Sequence, residues 1–179
     1  MILGTEMIIE PVKNISDLLQ VANIYEQAYD ELINTKNFGD VVRLEKPDSA
    51  RIHEWSKDLY NKIKNKDIIF NLAKEKNKII GFCFVRKKDI PDSEISHIGV
   101  VGLRISKNWR NKGIGKKLLS YTINESKDKF EILEASIFTT NKISYNMFKK
   151  FGFVVWGIAP KYVKRGKRYI DLKYMSLEL

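Results

Sequence analysis

The chain has 179 residues, 44% of them apolar and 11% aromatic, which is enough to build the core of one domain that folds alone. Its 32 Lys and Arg against 22 Asp and Glu give a net charge of +10, which suits a polyanionic ligand such as a nucleotide cofactor, nucleic acid or an acidic protein. No apolar run approaches the length of a membrane span, and the single cysteine excludes an internal disulfide.

Cellular location follows from the cysteine and the first residues. Cys83 lies in the apolar run from Ile79 to Val85, which predicts a buried thiol and fits a reducing compartment. Residues 1–7 contain neither the basic region nor the sustained apolar stretch of a signal peptide. We therefore expect a cytoplasmic protein without a membrane partner.

The first half of the chain predicts a strand, two helices and a hairpin. Residues 7–12 form a short apolar strand, and Ser16 is the expected cap of the first helix. Residues 47–49 start the second helix. Apolar residues recur at helical spacing in both helices: Leu19, Ala22, Ile24, Ala28 and Leu32, then Ile52, Trp55, Leu59 and Ile63. Segments 68–74 and 78–86, joined by a turn, predict an antiparallel hairpin.

The second half alternates strands and helices. A strand over 96–105 precedes a helix that follows Gly115, and a strand over 132–138 precedes a helix from Asn141 to Lys150. Apolar strands through Ile158 and over 169–177 close the chain. The order β-α-α-β-β-β-α-β-α-β-β predicts an α/β fold with a sheet of mixed direction, and no linker marks a domain boundary.

The segment 103–116 carries the most specific signal. A strand leads into a basic loop, and the loop opens a helix. Gly113 and Gly115 let the backbone approach a ligand closely, while the first helical N–H groups are unpaired and the helix dipole adds positive potential. This combination predicts a pyrophosphate site, although neither a full Gly-x-Gly-x-x-Gly nor a Walker loop is present. A tight strand-to-helix turn with exposed lysines is the alternative interpretation.

Three segments in this half resemble segments of one family. Residues 110–115, Arg-Asn-Lys-Gly-Ile-Gly, resemble the coenzyme A pyrophosphate loop of GNAT acetyltransferases, which include ribosomal-protein, protein N-terminal and small-amine acetyltransferases. Residues 141–153 resemble their Asn-x-x-Ala-x-x-x-Tyr-x-x-x-Gly-Phe segment, and residues 166–177 resemble their closing strand. The resemblance implies the acyl-CoA N-acyltransferase fold, a central mixed, mostly antiparallel sheet flanked by helices. It also implies a single domain over 7–179 with residues 1–6 as a short extension, and a variable substrate segment over 38–65.

The resemblance further implies where acetyl-CoA binds as cosubstrate. The strand 103–105 offers backbone groups to the pantetheine arm, and residues 110–116 hold the pyrophosphate. Asn141 bonds the pantetheine, unless it is only a helix cap, and Phe148 occupies the position of the family tyrosine. The implied cofactor residues are Leu103, Arg104, Ile105, Arg110, Asn111, Lys112, Gly113, Ile114, Gly115, Lys116, Asn141 and Phe148. No metal is expected, because His53 and His97 are isolated.

In this family an amine attacks the thioester directly, and a tyrosine commonly protonates the leaving thiolate. Phe148 cannot do so; Tyr145, one turn earlier, is the nearest replacement, with core packing as the alternative. The glutamate of related N-terminal acetylating enzymes falls on Ser136. Glu134, two residues earlier on the same strand face, is a displaced candidate base, with a salt-paired side chain as the alternative.

The expected acceptor is therefore a peptide or protein N-terminus or another low-pKa amine. At pH 7 an α-amine is neutral in roughly one molecule in seven, against about one in 2,500 for a lysine amine. A small amine such as a polyamine or aminoglycoside is an alternative, as is a regulatory module that binds coenzyme A without turnover. A homodimer through the last strands would follow the family. Nucleic acid is disfavoured, because a solvated hairpin explains the basic residues Lys161, Lys164, Arg165, Lys167 and Arg168 around Tyr162 and Tyr169.

Overall fold

The computed structural model describes residues 7–34, 48–88 and 94–179. The predicted element order is confirmed, with one added short 3-10 turn over Lys107–Trp109. The strands are β1 (Met7–Pro11), β2 (Ile68–Glu75), β3 (Lys78–Lys87), β4 (Ile98–Ile105), β5 (Ile132–Phe138), β6 (Val154–Arg165) and β7 (Arg168–Glu178). The helices are α1 (Ile15–Asn34), α2 (Ser49–Lys64), α3 (Ile114–Ser126) and α4 (Lys142–Lys150).

The strands form one seven-stranded sheet in the order β1-β2-β3-β4-β5-β7-β6. Every neighbouring pair is antiparallel except β4 and β5, which are parallel. Their pairing extends only from Ile98 opposite Ile132 to Val100 opposite Glu134. Beyond this point both strands continue, β4 to Ile105 and β5 to Phe138. The centre of the sheet therefore parts into an opening between two strands that remain paired on their outer sides.

Side chains that alternate along the strands build a core on each face of the sheet. Helices α3 and α4 cover one face, with Leu118, Leu133 and Phe153 among the buried residues. Helices α1 and α2 cover the other face over β2 and β3, with Leu18, Leu72 and Phe82 buried. The central opening lies between the two helical layers. β4 and β5 can diverge there because β4 is paired on its outer side with β3 and β5 with β7.

Two details at the start of α1 differ from the sequence prediction. Asn14, rather than Ser16, caps the helix, because its Oδ1 accepts a hydrogen bond of 3.0 Å from the N–H of Asp17. Leu19 is 37% exposed, since the buried stripe passes through Leu18 and Val21 instead. The side chain of Leu32 and the residue Pro47 lie outside the described part of the chain.

A partly buried ion-pair cluster joins β1, α1 and β2. Lys74 Nζ lies 2.8 Å from Asp17 Oδ1 and 2.9 Å from Glu10 Oε1. Burial opposes the charge of the ammonium, but the hydrogen bonds to the two carboxylates outweigh it and raise the pKa of Lys74. The cluster therefore fixes the first strand and the first helix against the sheet.

Candidate functional site

The opening between β4 and β5 is a cleft of about 170 Å³. Its walls come from the two diverging strands, from the first turns of α4, and from aromatic side chains of α1 and β3. The lining residues are Tyr25, Phe82, Phe84, Val101, Gly102, Leu103, Arg104, Ala135, Ser136, Ile137, Asn141, Ser144 and Phe148. The sheet thus offers a channel between the two helical layers.

One edge of this cleft is the part of β4 beyond Val100, where its pairing with β5 has ended. The N–H of Ser106 bonds to Ile80 O at 2.9 Å, and Ile98 O accepts from the N–H of Lys88 at 3.1 Å. In an antiparallel ladder these bonds recur at every second residue, so the even-numbered residues of β4 face β3. The N–H and C=O groups of Leu103 and Ile105 therefore point to the opposite side, where β5 has diverged. They can bond an extended ligand as a missing strand would, with Ile105 O also accepting a hydrogen bond from Arg110 Nε.

The alternation separates Arg104 from its two neighbours. Its backbone groups face β3, whereas its side chain lines the cleft. The guanidinium carbon lies 5.2 Å from the ring centroid of Tyr25. Arg104 therefore brings to the cleft a positive charge rather than a backbone donor.

The basic loop follows directly at the end of β4. Asn111 and Gly113 both have positive φ, 61° and 77°, and Gly113 precedes the first residue of α3. The N–H groups that open a helix have no partner within it. A Cβ added at Gly113 would meet no atom within 4 Å, so the space on the Cβ side of this residue is open. Arg110 anchors the loop, since its Nε donates to Ile105 O at 3.1 Å.

Gly115 joins the loop to the rest of the cleft. A Cβ at this position would lie 3.4 Å from Met147 Sδ and 3.6 Å from Leu103 Cδ2, both ordinary contact distances. Helix α3 therefore begins beside both β4 and α4. The structure brings together the loop 110–116, the free edge of β4 and the start of α4, which sequence analysis had assigned separately to one ligand.

Helix α4 contributes two residues to the cleft wall. Asn141 caps the helix, with its Oδ1 accepting from the N–H of Ser144 at 3.1 Å, and also lines the cleft. Phe148 is 4% exposed and packs edge-on against Phe153, with ring centroids 4.9 Å apart. The aromatic wall at this position is thus a fixed apolar surface without a proton to donate.

The two predicted catalytic candidates lie outside the residues that line the cleft. Glu134 forms an ion pair of 2.8 Å with Lys88. Tyr145 packs against the core below α4, and Lys173 Nζ lies 3.9 Å from its ring centroid. Ser136, in contrast, is exposed in the cleft wall. Glu134 and Tyr145 as base and acid remain predictions.

Sequence analysis missed the aromatic side of the cleft. Phe82 lies opposite Arg104, and Phe84 lies opposite Gly102, so these side chains share one face of the sheet. A Cβ at Gly102 would come within 2.2 Å of the Phe84 ring, which shows how closely the ring covers the strand. Tyr25 reaches the same place from α1. Only the strand register brings these residues together, although the alternation of Phe82 and Phe84 was visible in the sequence.

Metal-binding clusters and membrane-spanning helices are both absent from the described ranges. Residues 7–34, 48–88 and 94–179 contain no group of three His, Cys, Asp or Glu side chains arranged to hold a metal ion. No helix within these ranges is both long and apolar enough to cross a membrane.

Comparisons with known proteins agree with this geometry. Residues 21–153 match the family profile described as "Acetyltransferase (GNAT) family". L-amino acid N-acetyltransferase AaaT of Escherichia coli (strain K12) is 28% identical over 83 residues, which are 45% of this chain and 51% of that protein. The chain therefore spans about half the length of the curated relatives it matches.

Solved structures match over nearly the whole chain. Ribosomal-protein-alanine N-acetyltransferase from Brucella melitensis has a TM-score of 0.80 at 23% identity, over 96% of this chain and 99% of that chain. A GNAT superfamily phosphinothricin acetyltransferase (Pat) from Sinorhizobium meliloti, in complex with AcCoA, has a TM-score of 0.80 at 18% identity, over 97% and 88%. These matches confirm the fold.

Proposed function

Because this chain belongs to the GNAT family of acetyltransferases, we propose that it transfers an acetyl group from acetyl-CoA directly to an amine. The observation that carries the proposal is the open helix end at Gly113 beside the free backbone edge of β4. The two features lie at the same end of the cleft. The helix end suits the pyrophosphate of coenzyme A, and the backbone edge suits its amide-rich pantetheine arm. The bound AcCoA of the Sinorhizobium meliloti structure supports this choice of cosubstrate.

The residues present fit both the pyrophosphate and the pantetheine arm of acetyl-CoA. Residues 110–116 would hold the pyrophosphate through N–H groups and the positive charge of Arg110, Lys112 and Lys116. The edge at Leu103 and Ile105 would bind the pantetheine arm. When bound, acetyl-CoA supplies the activated acyl group, and the chain supplies orientation and a backbone N–H for the developing oxyanion.

We propose that the acceptor is an α-amine, whether of an amino acid or of a peptide N-terminus. No acidic side chain lines the cleft within the described ranges, and Phe148 cannot act as an acid. The amine must therefore reach its neutral form without a strong base, which favours a low-pKa amine. A thiolate is already a fair leaving group, so loss of the family tyrosine is tolerable. The name of the Escherichia coli relative supports an amino acid.

Turnover of acetyl-CoA tests the proposal. We expect free thiol to be released with an α-amine acceptor, from a panel of amino acids, N-terminal peptides, lysine peptides, polyamines and aminoglycosides. Calorimetry should show acetyl-CoA binding in the same preparation. Binding without turnover on any amine would favour the regulatory module instead, and absence of both would contradict the proposal.

The single cysteine of the protein is not expected to react with the thiol reagent in that assay. Cys83 is fully buried on β3, and burial raises the pKa of its thiol to about 12, although a hydrogen bond to Thr122 acts in the opposite direction. Ellman's reagent at pH 8 should therefore detect less than about 0.1 thiol per native chain and one per chain unfolded in guanidinium. A full equivalent in the native protein would contradict the buried position.

A homodimer through the last strands also remains a proposal. Strand β6 is an edge of the sheet and exposes Val154, Trp156 and Ile158, which are 63%, 55% and 56% accessible. An exposed apolar edge of this kind favours pairing with another chain. Sedimentation of the purified protein tests this interface.

A further inference from the structure

In the described part of the chain, the cleft contains a cation, Arg104, with no salt bridge to a carboxylate. Among the residues that line it, Arg104 is the only charged one within the described part of the chain. No acidic side chain of that part forms a salt bridge with it, and its one ring contact is with Tyr25. The carboxylate of Glu134, which lies on the same sheet face opposite Val100, is bound to Lys88. A guanidinium in a half-buried cleft thus keeps its five donors for something else.

We infer that Arg104 binds the carboxylate of the acceptor, and that the acceptor is a free α-amino acid; this inference rests on the proposed function. A guanidinium pairs with a carboxylate through two parallel hydrogen bonds, which fixes orientation as well as position. A peptide N-terminus offers a neutral amide at the same place and cannot form this pair. Arg104 therefore distinguishes the two α-amine acceptors that the reaction chemistry alone leaves equivalent.

The surroundings of Arg104 describe the rest of the acceptor. Phe82 and Phe84 stack side by side on the sheet face, and Tyr25 lies against Phe82 with ring centroids 5.0 Å apart. These rings provide an apolar wall beside the cation. An amino acid with a large apolar side chain, such as methionine or phenylalanine, fits this combination better than an acidic or strongly polar one.

Pairing with Arg104 also changes the reactivity of the amine. In a free amino acid the neighbouring carboxylate stabilises the ammonium form and holds its pKa above that of a peptide N-terminus. A guanidinium that neutralises this carboxylate removes the stabilisation, so the bound ammonium loses its proton at lower pH. The proton passes to water, the neutral nitrogen forms the new N–C bond to the acetyl carbon, and the C–S bond breaks. The thiolate leaves with the bonding electrons, and the second nitrogen proton goes to solvent.

The test compares acids with their amides. We expect the native protein to acetylate L-methionine and L-phenylalanine, and Arg104→Met to lower kcat/KM for these acids about 100-fold while changing it less than about threefold for the matching C-terminal amides. Arg104→Lys keeps the charge without the planar pair of donors. Its kcat/KM for the acids should lie between those of the native protein and of Arg104→Met. Arg168→Met, at an exposed arginine that begins β7 and is not among the residues lining the cleft, is the matched control and should leave kcat/KM for both substrates unaffected.

Three further measurements separate a role of Arg104 in binding the acceptor from a role in maintaining the structure. The pH midpoint of kcat for the acids should rise in Arg104→Met, because the bound ammonium then keeps its carboxylate neighbour. Calorimetric affinity for acetyl-CoA and the Tm should stay at native values. Equal losses for acids and amides, an unchanged midpoint, or turnover confined to peptides would overturn the inference while leaving the proposed function intact. No turnover with any amine would overturn both.

Discussion

Replacing Gly113 by valine is expected to weaken acetyl-CoA binding about 100-fold, because one or two charge-assisted hydrogen bonds to the pyrophosphate would be lost. The glycine has φ of 77° and open space on its Cβ side, directly before the first turn of α3. A valine side chain would occupy that space and strain the backbone that presents the N–H groups. The KM for acetyl-CoA and its calorimetric affinity measure the effect.

Gly166 provides the matched control for this substitution. It has a similar φ of 58°, it also has nothing within 4 Å of an added Cβ, and it lies in the turn between β6 and β7. Gly166→Val should therefore cost a similar amount of stability, about 1–2 kcal/mol from the left-handed backbone, with an unchanged KM. If both variants lower acetyl-CoA affinity equally, the helix end at Gly113 is not the pyrophosphate site.

The second large effect concerns which amine of lysine reacts. At pH 7 we expect Nε-acetyl-lysine, with its free α-amine, to be acetylated at least about 100-fold faster than Nα-acetyl-lysine, because its α-amine lies beside the carboxylate that Arg104 would neutralise, whereas the lysine amine keeps a pKa near 10.4. The two isomers have the same composition and the same carboxylate. Their rates of thiol release give the ratio directly.

The pH dependence of α-amine acetylation tests whether the protein supplies a general base. The kcat/KM for the α-amine should rise about tenfold per pH unit below the pKa of the free amine and then level off. Glu134→Gln should leave this profile in place, because Glu134 is paired with Lys88 and lies outside the cleft lining. A profile that collapses in this variant, or robust acetylation of ε-amines with unreactive α-amines, would contradict an α-amine acceptor without a protein base.

Local signals predicted the elements well. The helix cap at Asn141, the hairpin over residues 68–86 and the loop at Gly113 depend on neighbours within a few residues, so the sequence shows them. The cap of α1 was misassigned because Asn14 and Ser16 are both good caps, and only the contact with Asp17 decides between them. The strand order could not be derived from periodicity, which does not specify which strands pair.

The residues of the site also divide into those that local sequence predicted and those that only the folded chain brings together. The residues of the loop and of α4 carried recognisable motifs, whereas the aromatic wall did not. Tyr25 and Phe84 are 59 positions apart and meet only because β3 pairs with β4 while α1 packs across them. Similarly, the charge of Arg104 could be read in the sequence, but its place in a cleft that no acidic side chain of the described residues lines depends on the folded chain.

The short pairing between β4 and β5 has a consequence for the size of the acyl group. Three residue pairs between β4 and β5 join the part of the sheet formed by β1 to β4 to the part formed by β5, β7 and β6. The remaining contact between the two parts is made by packed side chains such as Val101, Leu133 and Met175. Hydrogen bonds fix the spacing of strands, whereas packed side chains permit small changes of angle. The mouth can therefore widen by a slight rotation of one part against the other without breaking a ladder. We expect the protein to accept propionyl-CoA as well as acetyl-CoA, with tolerance limited by how far Phe148 and Ile137 can separate from the edge of β4.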